Sequence, residues 1–183
     1  MPIHIPDHPA PAGSFEAPLE QFSACHHSVL QQCATLRGLV EHLVSHGADS
    51  DARVTAAAVM RFFDTSTKHH HADEETDLFP ALIESMAGSD AVCIRELAEP
   101  LTRDHRALES QWLRLRVLLA RIAAGALQPM VPADVAPFVG LYERHIAREE
   151  SELLPMAARL LGDPALDLIG RAMRERRGCS MIE

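Results

Sequence analysis

Four stretches of this chain carry apolar residues at steps of three and four, and each stripe has one histidine on it. The first runs through Leu19, Phe22, His26, Val29, Cys33, Leu36, Val40 and Leu43. The second runs through Ala56, Val59, Phe63, His70, Glu74, Leu78 and Leu82. The third holds Ile94, Leu97, Leu101, His105, Leu108, Trp112, Leu115 and Leu119, and the fourth Val135, Phe138, Leu141, His145, Glu149, Leu153 and Met156. Such spacing gathers each set on one face of an α-helix. Breaks fall where helices should stop: His46-Gly47, Gly88-Ser89, the loop from Gly125 through Pro129 and Pro132, and Gly162-Asp163-Pro164. Asp49-Ser50-Asp51 offers an N-cap for the second helix. Four long amphipathic helices with short connections predict an all-α, up-down-up-down four-helix bundle over residues 19–161. An irregular, proline-rich arm should precede it over 1–18, lying on the surface or disordered. A short extra helix and tail should follow over 162–183.

Composition narrows the function. Aromatics are only 4% of the chain, so its apolar content is mostly Ala, Leu and Val, which suits helices better than a β-sandwich. A net charge of −9 argues against a nucleic-acid partner. No apolar run reaches the roughly 18 residues of a membrane span, and Met1 to Gly13 lack a signal-peptide core. Cys25, Cys33, Cys93 and Cys179 show no paired spacing and read as reduced thiols, so the expected location is cytoplasmic.

The chain also repeats itself. When His70 is placed on His145, both copies read His, Glu at plus four, Glu at plus five, Leu at plus eight and Pro at plus ten. Upstream of each copy lies one stripe histidine, His26 or His105. The chain reads as two helical hairpins, each donating one His and one His-x-x-x-Glu about a pseudo-twofold axis. Heights agree with this. His26 and His70 each lie about 22 residues from the first turn, and His70 and His105 about 18 and 17 from the second, at roughly 1.5 Å per residue. His105 and His145 straddle the proline-containing third loop less evenly, at about 23 and 17 residues. All four histidines converge on one layer of the bundle.

Spacing i to i+4 puts His70 with Glu74, and His145 with Glu149, on one helix face. Imidazole with carboxylate suits iron, manganese or zinc, and two inward carboxylates can bridge two cations. Without metal, two buried glutamates facing each other would be costly. A lone histidine on an apolar stripe is more often a satisfied core residue; four at one height, two with Glu at plus four, reverse that reading. Glu75 and Glu150 either orient ligand histidines or face solvent. His27 and His71 are alternatives to their neighbours, since a one-residue register shift would exchange them. His42 and His46 belong at the far end of the first helix, His69 on a less apolar face, and His4 and His8 in the arm. Arg171, Arg174, Arg176 and Arg177 read as a solvated face. Pro80 and Pro155 each remove a backbone bond. They either kink the bundle end or tilt the bridging glutamates.

These residues together resemble a known family. His26, His70-x-x-x-Glu74-Glu75 with Leu78-Phe79-Pro80, Asp104-His105, and His145-x-x-x-Glu149-Glu150 with Leu154-Pro155 are similar to the hemerythrin-like HHE cation-binding family. The similarity spans about Leu19 to Leu161. It implies a non-haem di-iron site with His26, His70, His105 and His145 as terminal ligands and Glu74 and Glu149 as bridges. Two departures from the oxygen-carrying hemerythrins stand out. Glu109 occupies the place of their second third-helix histidine, and His145-x-x-x-Glu149 replaces their His-x-x-x-x-Asp. Simple reversible oxygen carriage is therefore not implied. Glu109 is either a third carboxylate ligand or a rim residue.

The expected function is a two-metal protein, with iron favoured and manganese or zinc also suited, that binds or senses oxygen or nitric oxide or handles iron. The alternative is a di-iron oxidoreductase, peroxidase-like or nitric-oxide-reducing, or an iron donor for iron–sulfur cluster repair. Repair proteins resembling this family carry an extra cysteine-bearing N-terminal domain, which the short arm here lacks. A third reading is a structural bundle whose histidines bind nothing. Sequence does not set the oligomeric state.

Overall fold

The structure, a computed structural model, describes residues 14–86, 91–127 and 129–179. Helices form over α1 (Pro18–His46), α2 (Ser50–Asp73), α3 (Phe79–Ser85), α4 (Ala91–Ala123), α5 (Pro132–Arg148), α6 (Leu154–Leu160) and α7 (Asp163–Arg176). Two π turns, Glu74–Leu78 and Glu149–Leu153, join α2 to α3 and α5 to α6. The bundle therefore has four rods: α1, α2–α3, α4 and α5–α6. α1 packs against α2 and α5, and α4 against the same two. No strand occurs among the described residues, and the all-α bundle expected from periodicity is the fold observed.

The helix ends follow their local chemistry. Gly47 closes α1 at φ 67°, a conformation that costs a residue with a Cβ far more than glycine, and its N–H returns to the Leu43 carbonyl. The Asp49 carboxylate accepts the Ala52 N–H at 2.9 Å and so caps α2. Pro18 and Pro132 sit in first turns, where a missing N–H costs nothing. No described helix is long and apolar enough to cross a membrane.

Buried apolar side chains form two clusters. One contains Val29, Leu36, Phe63, Leu108, Trp112, Phe138 and Tyr142. The other contains Phe22, Leu78, Phe79, Leu82, Leu101, Leu153 and Leu154. Along each rod the stripe histidine falls between them: Phe22, His26, Val29 on α1, and Leu101, His105, Leu108 on α4. The bundle thus seals a polar layer between two dry ones. Cys33 is buried in the first cluster and Cys25 packs against it; burial pushes both thiols up to about 12.

At the C-terminal end the structure corrects the sequence reading. Arg176 and Arg177 are not a solvated face. Both donate to the fully buried carboxylate of Asp73, Arg177 from Nη2 at 2.6 Å, and Arg176 also reaches Asp77 at 2.7 Å. The short extra helix is therefore fastened to the second rod beside Glu74. The described end of the arm packs there too. A Cβ on Gly170 would lie 2.0 Å from the Phe15 carbonyl oxygen, so only glycine permits this approach. Arg174 and Arg177 lie over the Phe15 ring at 5.8 and 5.7 Å. The rest of the expected arm with His4 and His8, the Gly88-Ser89 turn and the last residues of the tail fall outside the described residues.

Candidate metal centre

Glu74 and Glu149 are each the first residue of a π turn. The turn holds one residue more than α-helical winding allows, and such turns often occur at functional sites. Both glutamates are buried, and so are Phe79 and Leu154 five residues on. Leu78 and Leu153, four residues on, are buried as well, so each turn brings two successive residues to the buried side, as a wider turn allows. The prolines, Pro80 and Pro155, follow in the first turn of the next helix, where no N–H is required. The prolines are visible in the sequence and the extra residue is not; the adjacent apolar pairs Leu78-Phe79 and Leu153-Leu154 are its trace there.

The six predicted donors come together at one height, all with at most 2% exposure. They fall into two overlapping sets, each with donor atoms within 4.8 Å of one another: His26, His70, Glu74 and Glu149, then Glu74, His105, His145 and Glu149. Glu74 turns Oε1 toward His70 Nε2 and Oε2 toward His105 Nε2, both at 3.2 Å. Glu149 turns Oε2 toward His26 Nε2 and Oε1 toward His145 Nε2, both at 3.1 Å. Each carboxylate thus spans both sets. Although these atoms are close, His26 Nε2, Glu74 Oε2 and both Glu149 oxygens make no hydrogen bond. An unpaired buried polar atom costs about 1–3 kcal/mol. Atoms that crowd together yet do not point at one another suit cations placed among them. The donor chemistry and these orphaned atoms fit the metal that the sequence suggests.

The outer nitrogens are held from across the bundle. His26 Nδ1 meets Glu150 Oε1 at 2.6 Å, and His105 Nδ1 meets Glu75 Oε1 at 2.7 Å. An imidazole that donates Nδ1–H to a carboxylate presents Nε2 as a lone pair to the centre. Of the two options for Glu75 and Glu150, orientation of histidines is the one observed. Each serves the other hairpin's histidine, as a pseudo-twofold arrangement requires. Arg106 in turn binds the far oxygen of Glu75.

Burial disfavours a protonated His26, but Glu149, Glu150 and Glu74 outweigh it and hold its pKa well above the usual value. His105 is raised against its own burial by Glu74 and Glu75. Burial works against an ionised Glu149, yet His145 and His26 hold its pKa well below the carboxylate range. Imidazole nitrogens of His26, His70, His105 and His145 thus stand beside the two buried carboxylates. Burial keeps His70 neutral, as a metal ligand must be.

Other candidates separate cleanly. His27 is exposed against Gln31. His42 bonds Asp49 at 2.9 Å and stacks on His46, at the far end of α1. Glu109 is exposed and belongs to neither set; it stands on the rim of a cavity of about 330 Å³, with Lys68 and Arg106. His71 departs from the sequence reading. It is no substitute for His70 but joins His105 and His145 in a third cluster. It also lines that cavity with Phe63, Thr67, His105, Trp112 and Tyr142.

An antiparallel helical bundle with two inward His-x-x-x-Glu units and two opposed histidines defines a metal-binding bundle. The hemerythrin HHE cation-binding domain matches residues 17–157, and the chain belongs to that family. A protein of Haemophilus influenzae described only as uncharacterized is 30% identical over 169 residues, which is 92% of this chain and 95% of that one.

Proposed function

We propose that this protein holds two iron ions and uses them to bind or sense a small diatomic ligand, oxygen or nitric oxide. The observation that carries this is the sharing of Glu74 and Glu149 between two donor sets of otherwise separate histidines. Each set offers two imidazoles and two carboxylate oxygens, so a six-coordinate ion would keep room for a ligand from outside. Iron so held would supply redox chemistry and affinity for diatomics; manganese and zinc suit the same donors. The chain's own residues do the rest. Glu75 and Glu150 fix the tautomer and direction of His105 and His26. The apolar clusters above and below exclude water from the layer. The cavity beside His105 offers a path from solvent.

The test is metal analysis of protein purified without chelator, followed by absorption spectra with and without oxygen and nitric oxide. Two equivalents of iron per chain and a spectral response to at least one gas are expected. Glu74→Ala and Glu149→Ala should each abolish the paired site. Metal content that stays at two in those variants, or a single equivalent in the parent, would show the reading to be wrong. Sustained turnover of peroxide or nitric oxide by the loaded protein would move the assignment to an oxidoreductase.

A further inference from the structure

The two halves of the centre are alike in their donors and unlike in a neighbour that carries a ring nitrogen. In the internal repeat His71 stands where the second copy has Ile146, a buried apolar residue. A ring nitrogen of His71 lies within 4.8 Å of donors of His105 and His145, and its Nε2 is buried with no hydrogen-bond partner. This looks at first like an additional ligand. The ring geometry excludes it. His71 and His105 stack with centroids 4.0 Å apart and planes 10° apart. A metal bound through an imidazole lies in the plane of that ring. Two nearly parallel rings this close are face to face, so one ion cannot lie in both planes. An ion in the plane of His105 would sit at least a ring thickness, about 3.4 Å, from the plane of His71. A metal–imidazole bond is about 2.1 Å long. His71 therefore stands beside the metal position and not in it, with a ring nitrogen within 4.8 Å of the donors of His105 and His145. It does so on the side where the cavity opens, among residues that include neither His26 nor His70.

We propose that His71 is the polar contact for the exogenous ligand, donating a hydrogen bond from Nε2 to a small anion or diatomic that enters the cavity and settles at the His105–His145 position. This rests on the two-metal reading above. It makes that position the reactive one; Ile146, the counterpart of His71 in the repeat, has no side-chain group that could donate to the His26–His70 position.

Azide is a suitable probe, because its binding to the iron-loaded protein can be followed by absorption and by its vibrational frequency. His71→Phe keeps a ring to stack on His105 and removes the nitrogen. It should retain the parent's metal content and bind azide about 10- to 100-fold more weakly, the scale of one hydrogen bond to a charged group. His71→Gln, which restores an N–H, should recover most of that loss. The parent, with no substitution, should show an azide frequency that shifts between H2O and D2O. Loss of one metal equivalent in His71→Phe would make His71 a ligand and overturn the proposal. So would azide affinity indifferent to position 71, or a frequency without isotope shift. A parent devoid of metal overturns the two-metal reading and this proposal together, whereas a metal-replete parent indifferent to His71 overturns this one alone.

Discussion

At the scale of single residues, one step along the helix separates two jobs. Glu74 and Glu149 point into the layer, while Glu75 and Glu150 are turned about 100° round the axis and meet histidines of the facing rod. Removing such an orienting carboxylate typically weakens metal affinity 10–100-fold. Glu150→Ala should produce a loss of about that size at the set containing His26, and Glu75→Ala at the set containing His105. Competition with a graded series of chelators would reveal it, and unchanged retention in both variants would remove their orienting role. The convergence of the six buried side chains is legible in the sequence because period and height are both countable. The role of Glu75 and Glu150 was left open there, since a neighbour 100° away can face either solvent or the next rod. His71 was read only as a rival to His70. Nothing in a linear pattern shows that one histidine serves one half of the centre and its neighbour the other. Glu109 was readable as rim or ligand, and only the roll of α4 decides for the rim.

At the scale of elements, the rods and their caps follow from apolar steps of three and four and from Gly47 and Asp49. The π turns do not, because a stripe assigned by eye absorbs one extra residue without complaint. Their effect is to let Glu74 and Leu78, at the two ends of the first turn, stay buried in line with α2 while Phe79 and Leu82 keep the buried face of α3. The bulge is a matter of residue count, so it should be removable. Deletion of the exposed Thr76 should return the second rod to α-helical winding. Either Glu74 or the Leu78–Leu82 face must then leave its place, and the paired metal site should be lost while helical content is kept. Metal stoichiometry and far-ultraviolet circular dichroism together check this; a deletion variant that still binds two equivalents would show that the extra residue does not set the position of Glu74.

At the scale of the whole molecule, the two hairpins form a near-symmetric pair, and α7 breaks that symmetry. Asp73 is fully buried and next to Glu74, and its charge is met only by Arg176 and Arg177 among the ion pairs described. Taking away the partners of a buried charge costs about 3–5 kcal/mol. Arg176→Ala combined with Arg177→Ala should destabilise the protein by about 3 kcal/mol in denaturant unfolding, and Asp73→Asn in the same background should restore part of it. A midpoint unchanged by the double substitution would mean that water reaches Asp73. This fastening could not be read from sequence, because a run of arginines near the end of a chain looks the same whether it faces solvent or a carboxylate some hundred positions earlier. It also orders events in time. Arg176 and Arg177 follow the end of the fourth rod by some sixteen residues, about one to three seconds of synthesis at about 5–20 residues per second. Until then the second rod must either leave Asp73 unburied or bury it alone. The helix that meets the charge of Asp73 is thus made last among the described helices, and it contributes none of the residues that would hold metal.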